Sequence, residues 1–272
     1  MQYLVSIENT TYFYWQIELL IESFKMKGLE DKLVIAIAEN ESPKDPQYIK
    51  NISRHKNKFM HVNVGRQYDF LPLNKIFATM AALQTNRIEY PFALIHPDMV
   101  LFQDLEERPE NVVFHVDPTA AQTIEKLKPY LNNLAQNSGL ESMPDNLFLG
   151  GILQFNDLNP AFYQRTHNWM HWFLQQHKDE NWDIAKGAWI LSAYEHLGSH
   201  SYLGLRLEGQ LFENIDCPPF VHYSGGLMPV FSKTYYKNTD LQLHEGPYNA
   251  LLRHITSEAA EHLHAVVESY QA

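Results

Sequence analysis

Cysteine is almost absent from this sequence. The 272-residue chain has one, Cys217, so no disulfide can close within it, and a reducing cytoplasm suits it. Positive charge is also scarce. Lysine and arginine number 21 against 32 aspartates and glutamates, a formal charge of −11. That balance argues against a nucleic-acid backbone or an anionic membrane as the main partner. It leaves room for a small anionic ligand, because a few local cations and a metal can reverse the sign inside a cleft. No apolar run approaches the length of a bilayer. The start, "MQYLVSIENT", lacks a basic stretch followed by a long apolar one, so no signal peptide is expected. Gly-x-Gly-x-x-Gly, Walker and Gly-x-Ser-x-Gly motifs are missing, which leaves dinucleotide, P-loop and α/β-hydrolase chemistry without support. Internal repeats and low-complexity linkers are missing too.

What is present is an ordinary globular composition, 45% apolar and 13% aromatic, long enough for one large domain with a full core. "YLVSI" (3–7) is short, apolar and branched, which predicts a strand. A helix follows, with Ile17, Leu20, Ile21 and Phe24 on one stripe and Gly28 as its stop. "KLVIAIAEN" (32–40) is a second strand. Strand, helix, strand is the unit of a parallel sheet. Further strands are predicted at 59–65, at "YPFALIH", at 111–118, at 146–156 and at 218–226. Helices are predicted at "LPLNKIFATMAALQTN", with Ile76, Met80 and Leu83 on one face, and before about Asn137. Aromatic-rich helices follow at 160–177 and 183–197, and an amphipathic helix closes the chain. The expected fold is α/β, a mostly parallel central sheet with helices on both faces.

Open sheets of this kind bind ligands outside the carboxyl ends of their strands. Three predicted strand ends carry polar chemistry: Glu39-Asn40, His96-Asp98 and His222-Tyr223-Ser224. If those strands are parallel neighbours, the residues share one crevice. Asp98 breaks an apolar run, "FALIHPDMVLF". A buried carboxylate is costly without a partner, so Asp98 either starts a turn or meets a hydroxyl, an amide or a cation. His222 sits before Ser224, Gly225 and Gly226. It is either a hydrogen-bonded core histidine or a ligand for a transition ion. The glycines let backbone N–H groups approach an anion, and Lys233 and Lys237 follow. His167 and His171 are four apart on one helical face, a spacing that can bind zinc. No third ligand is evident, and Trp169 and Trp172 favour packing.

The order of elements, "HPD" at the end of a central strand, "FLGGIL" beyond it and the late "HYSGG" and "FSKTYYK" together resemble glycosyltransferases of the GT-A fold. The resemblance is closest to the hydroxyproline O-arabinosyltransferase-like group, over about residues 3 to 240. That group carries Glu-Pro-Asp where this chain has "HPD", and His-Tyr followed by Phe-Asp-Lys-Arg-x-Tyr near "HYSGG" and "FSKTYY". The resemblance implies transfer of a sugar from a nucleotide-diphosphate donor, a UDP-sugar first, to a hydroxyl of a peptide, glycan or small molecule. It implies one domain, with a nucleotide-binding half at about 1–120, an acceptor half at 121–240 and a C-terminal helix at 247–270. It implies Asp98 and His222 as ligands of a divalent metal, with His96 as a third ligand or a ribose or phosphate contact. Glu8, Asn9, Glu39, Asn74 and Lys75 fall near the donor. Ser224, Gly225, Gly226 and Lys233 fall near its phosphates, and Gly150 and Gly151 beside the sugar or acceptor.

Two positions depart from the family pattern. His96 stands where the first acid of the Asp-x-Asp signature belongs, which makes Mn²⁺ a better expectation than Mg²⁺. Ala185 stands where an acid that takes the acceptor's proton belongs, so Asp183 is the candidate base. Glu195, on the same predicted helix, is expected to face solvent. Both departures also fit a non-catalytic nucleotide-sugar or carbohydrate-binding module. A nucleotidyltransferase is the other rival, though "ENTTYFYW" is not the glycine-rich basic loop such an enzyme needs.

Overall fold

The computed structural model describes residues 1–8, 11–39, 59–63, 71–109, 111–116, 152–158, 160–176, 187–193, 201–204 and 220–222, with single positions at 132 and 265. Strand β1 is Gln2–Glu8, β2 Leu33–Glu39, β3 Phe59–Asn63 and β4 Phe92–Ile95. Helix α1, Thr11–Met26, links β1 to β2, and α2, Leu71–Gln84, links β3 to β4. Short strands β5, Met99–Leu101, and β6, Val112–Val116, come next. Then come β7, Leu153–Phe155, helix α3, Pro160–Gln176, a helical stretch at 187–193, β8, Ser201–Gly204, and β9, Phe220–His222.

Seven of these strands form one sheet in the order β3-β2-β1-β4-β7-β6-β8. β1 is parallel to β2 and β4, and β2 is parallel to β3. β7 runs antiparallel to both β4 and β6, and β8 is parallel to β6. One reversed strand thus sits in an otherwise parallel sheet, the α/β architecture that the sequence predicts. Strands from both sides of residue 120 share this sheet.

Period-two alternation decides what each face buries. Tyr3, Val5 and Ile7 of β1, Ile35 and Ile37 of β2, and Ala93 and Ile95 of β4 pack with Ile17, Leu20, Ile21 and Phe24 of α1. Leu4, Ala36, Ala38, Phe92 and Leu94 turn to the other face and pack with Leu73, Ile76, Ala78 and Ala82 of α2. On that second face Phe155 of β7 meets Phe92, Phe162, Tyr163 and Trp189, with ring centroids between 5.2 and 6.1 Å.

Both linking helices end in the same way. Gly28 has φ +66°, its N–H donates to Lys25 O at 2.9 Å, and Leu29 N–H donates to Phe24 O at 2.9 Å. Asn86 has φ 51°, and the matching bonds run to Leu83 O at 3.1 Å and from Arg87 to Ala82 O at 2.8 Å. This is the Schellman arrangement, with glycine or asparagine tolerating the left-handed residue.

The strand that carries His222 corrects one expectation. It is no parallel neighbour in the main sheet: β9 pairs antiparallel with β5 in a separate two-stranded ribbon, Met99 opposite His222 and Leu101 opposite Phe220. Buried Phe220 anchors the ribbon on the α1 face, 5.6 Å from the Tyr3 ring and 6.1 Å from Phe24. Ser23 Oγ on α1 accepts from Leu101 N–H at 3.1 Å and donates to Leu20 O at 2.7 Å. β8 was absent from the expected elements. "SYLG" has no apolar alternation, and its pairing with β6 makes it a strand. The predicted helices before Asn137 and after residue 247 lie outside the described residues, apart from the single helical positions 132 and 265.

Candidate functional site

The carboxyl ends of β1, β2, β3 and β4 lie side by side, because these strands are parallel neighbours. The alternation that buries Leu4 on the α2 face continues through Ser6 to Glu8. Glu8 therefore meets the first turns of α2, where Asn74 Nδ2 donates to Glu8 Oε1 at 3.2 Å. An amide donates only through nitrogen, which fixes the orientation of Asn74. Asn74 is buried, and its Oδ1 has no hydrogen-bond partner among the described residues.

The same alternation carries β4 from Phe92 and Leu94 to His96 on the α2 face. There Lys75 Nζ lies 3.0 Å from His96 Nε2. Lys75 is 6% exposed, so it is not an ordinary solvated surface lysine. A cation near a helix N-terminus is disfavoured by the helix dipole, and the imidazole lone pair offsets part of that cost. On its other side His96 Nδ1 lies 3.8 Å from Asp98 Oδ1. Asp98 is 4% exposed and sits in the turn between β4 and β5. The chain Lys75–His96–Asp98 thus balances one buried cation against one buried carboxylate.

Glu39 does not join this cluster. By alternation it belongs to the α1 face with Ile35 and Ile37, and its Oε1 pairs with His61 Nδ1 at 2.8 Å. The sequence reading did not single out His61, although its place in "FMHVN", two residues after Phe59, sets it on the same face as Glu39. His222 enters through the ribbon, whose register sets its backbone opposite Met99, the residue after Asp98. Asn9, Gly150, Gly151, Asp183, Glu195, Ser224, Gly225, Gly226, Lys233 and Lys237 lie outside the described residues.

Among the described residues no three His, Cys, Asp or Glu side chains gather as a metal site. A carboxylate at Asp98 is a hard donor that suits Mg²⁺ or Mn²⁺, and a diphosphate supplies further oxygens. The His167–His171 pair packs as expected. The rings lie 4.6 Å apart and His167 lies edge-on to Phe77 at 5.0 Å. Burial holds the His167 imidazole below its ordinary range; a hydrogen bond to Asn168 opposes the shift, and His171 adds to it.

The sequence matches no protein-family model and no curated protein. The fold does match solved structures. The galactosyltransferase LgtC, crystallised with donor and acceptor sugar analogs, shares 10% identity with this chain. The match covers 99% of this chain and 96% of LgtC with a TM-score of 0.51. An active-site mutant of LgtC aligns over the same shares at 13% identity and TM-score 0.51. Glucosyl-3-phosphoglycerate synthase from Mycobacterium tuberculosis, with Mg²⁺ and UDP, aligns at 12% identity over 94% and 81% of the chains, with a TM-score of 0.41. The chain thus has a GT-A-like α/β fold, a mixed sheet with flanking helices.

Proposed function

We propose that this chain is a glycosyltransferase that uses a nucleotide-diphosphate sugar, a UDP-sugar first, and transfers the sugar to a hydroxyl of a glycan, peptide or small molecule. The observation that carries this is the juxtaposition of Glu8–Asn74 with Lys75–His96–Asp98 at the carboxyl edge of parallel strands. It occurs in a fold shared with a galactosyltransferase crystallised with donor and acceptor sugar analogs.

Each part has a task in this reading. Glu8 and the Asn74 Oδ1 accept hydrogen bonds from the ribose hydroxyls or base N–H of the donor. Lys75 brings positive charge toward the diphosphate. A divalent ion, Mn²⁺ ahead of Mg²⁺, supplies neutralising charge at the leaving group when bound, and Asp98 and His222 would hold it. The Ser224–Gly226 turn and Lys233 complete that electrostatic support, and Gly150 and Gly151 leave space for the sugar. The acceptor oxygen forms a bond to the anomeric carbon, the bond to the diphosphate oxygen breaks, and Asp183 takes the acceptor's proton. Cytoplasmic location rests on the cysteine content alone. Among the described residues no helix is long and apolar enough to cross a membrane.

His96 and Ala185 favour a second reading, a module that binds the nucleotide sugar without turning it over. Calorimetry with UDP and Mn²⁺ or Mg²⁺, followed by a donor-hydrolysis assay, separates the two. Binding with turnover is expected. Binding without turnover supports the module, and no UDP binding with either ion sinks both.

A further inference from the structure

A cavity of about 170 Å³ opens at the amino ends of β1, β2 and β3, the edge of the sheet opposite Glu8 and Asp98. Its apolar lining comes from Leu33, the first residue of β2, and from Phe59 and Met60, the first two of β3. Three polar residues line the same cavity, Gln2, Asp31 and Arg87. Gln2 opens β1, and its Oε1 accepts from the Glu89 N–H at 2.6 Å. That bond fixes the amide and leaves its nitrogen as a donor. Asp31 lies in the single 3-10 turn, Glu30–Lys32, that leads into β2. Arg87 follows the left-handed Asn86 that ends α2.

The Asp31 carboxylate and the Arg87 guanidinium line one cavity without pairing. Among the described residues, neither forms a hydrogen bond or an ion pair. Lys32, the cation next to Asp31 in sequence, is held by Asp104 at 2.7 Å. Opposite charges kept apart beside an apolar lining complement a zwitterion with an apolar body. The guanidinium fork matches a carboxylate, and an aspartate accepts from an ammonium. A cavity of about 150 Å³ is known to hold a benzene ring, so the space suits a side chain of that size. An ammonium, a carboxylate and an apolar group on one carbon define a free α-amino acid.

We propose that this amino-edge cavity binds a free apolar α-amino acid: Arg87 and the Gln2 amide take the carboxylate, Asp31 the ammonium, and Leu33, Phe59 and Met60 the side chain. The site is separate from the donor edge and does not rest on the glycosyltransferase reading. Asp31 and Arg87 are exposed, so water and salt screen both contacts. The dissociation constant is expected to be on the order of 1 mM.

The test is a titration of the full chain carrying ¹³C-methyl methionine, with phenylalanine as the probe. The Met60 methyl signal is assigned by its loss in Met60→Leu, and phenylalanine should shift it saturably. Phenylalaninamide lacks the carboxylate and 3-phenylpropionate lacks the ammonium. Each should bind about threefold or more weakly than phenylalanine, the scale of one exposed charge pair. Arg87→Gln should abolish the preference over the amide and keep the preference over phenylpropionate. Asp31→Asn should do the reverse. Both changes are at exposed positions, and unchanged signals from the other methionines report an intact fold. A Met60 signal that does not saturate by about twenty times the expected constant overturns the inference. So does equal binding of phenylalanine and either analogue by the native protein, or a preference that survives the loss of its own charged partner.

Discussion

A carboxylate that is 4% exposed stays ionised only beside compensating charge or hydrogen bonds. Asp98 has the Lys75–His96 chain on one side and the start of the β5–β9 ribbon on the other. Asp98→Asn keeps the shape and removes the charge. It should cut kcat/KM for donor turnover by about a hundredfold or more, the scale for losing one electrostatic stabiliser. Circular dichroism should stay unchanged. Activity within a few-fold of native would remove Asp98 from the site. His167 offers a prediction about stability. Its folded pKa is lowered, first by burial, so the unfolded chain binds the proton more readily. Its contribution is fully present above the ordinary histidine value of about 6.5 and is lost as pH falls through the lower folded value. The urea midpoint should therefore drop between about pH 7 and pH 5, and His167→Gln should flatten that slope. An equal slope in both proteins would sink the assignment. Asp98 was legible in the sequence because it breaks an apolar run. The Lys75–His96 contact was not, because it joins residues 21 positions apart.

At the scale of elements, the endings of α1 and α2 keep the site's scaffold in register. Gly28 sits at φ +66°, and a Cβ there would meet nothing within 4 Å. The cost of Gly28→Ala is thus backbone strain alone, about 1 kcal/mol. Urea denaturation should show the lower midpoint with an unchanged m-value. No shift would mean that the turn adopts another conformation. This ending was readable, since a glycine follows the last apolar position of a helix. The β5–β9 ribbon was half readable. The strand expected at 218–226 contains β9, but three-residue β5 carries too little alternation to announce itself, and their pairing joins residues more than a hundred positions apart. Ser23 bridges α1 to that ribbon from a buried position, a contact that sequence spacing does not encode.

For the whole molecule, β7 is the reversed strand that joins β4 to β6. Phe155 is fully buried there among Phe92, Phe162, Tyr163 and Trp189. Phe155→Ala removes that ring from both the sheet and the α3 layer and should cost about 3–5 kcal/mol. Against a typical total stability of about 5–15 kcal/mol, thermal unfolding should shift by many degrees. A melting temperature within a degree of native would show that the layer is not closed by this ring.

The sequence by itself determined the α/β class, the existence of β1, β2 and β4, and the buried stripe of helix α1 with its glycine stop. These follow from local periodicity, which acts over a few residues whatever the rest of the chain does. It also marked His96 and Asp98 as polar residues at a strand end, and the family resemblance added Glu8, Asn74 and Lys75. Tertiary structure decided which of them meet. It set Asn74 on Glu8 and Lys75 on His96, sent Glu39 to His61 on the other face, and moved the His222 strand out of the main sheet. Those outcomes depend on strand order and on distant pairing, where contacts between remote segments compete for the same edges, and no local pattern encodes the winner.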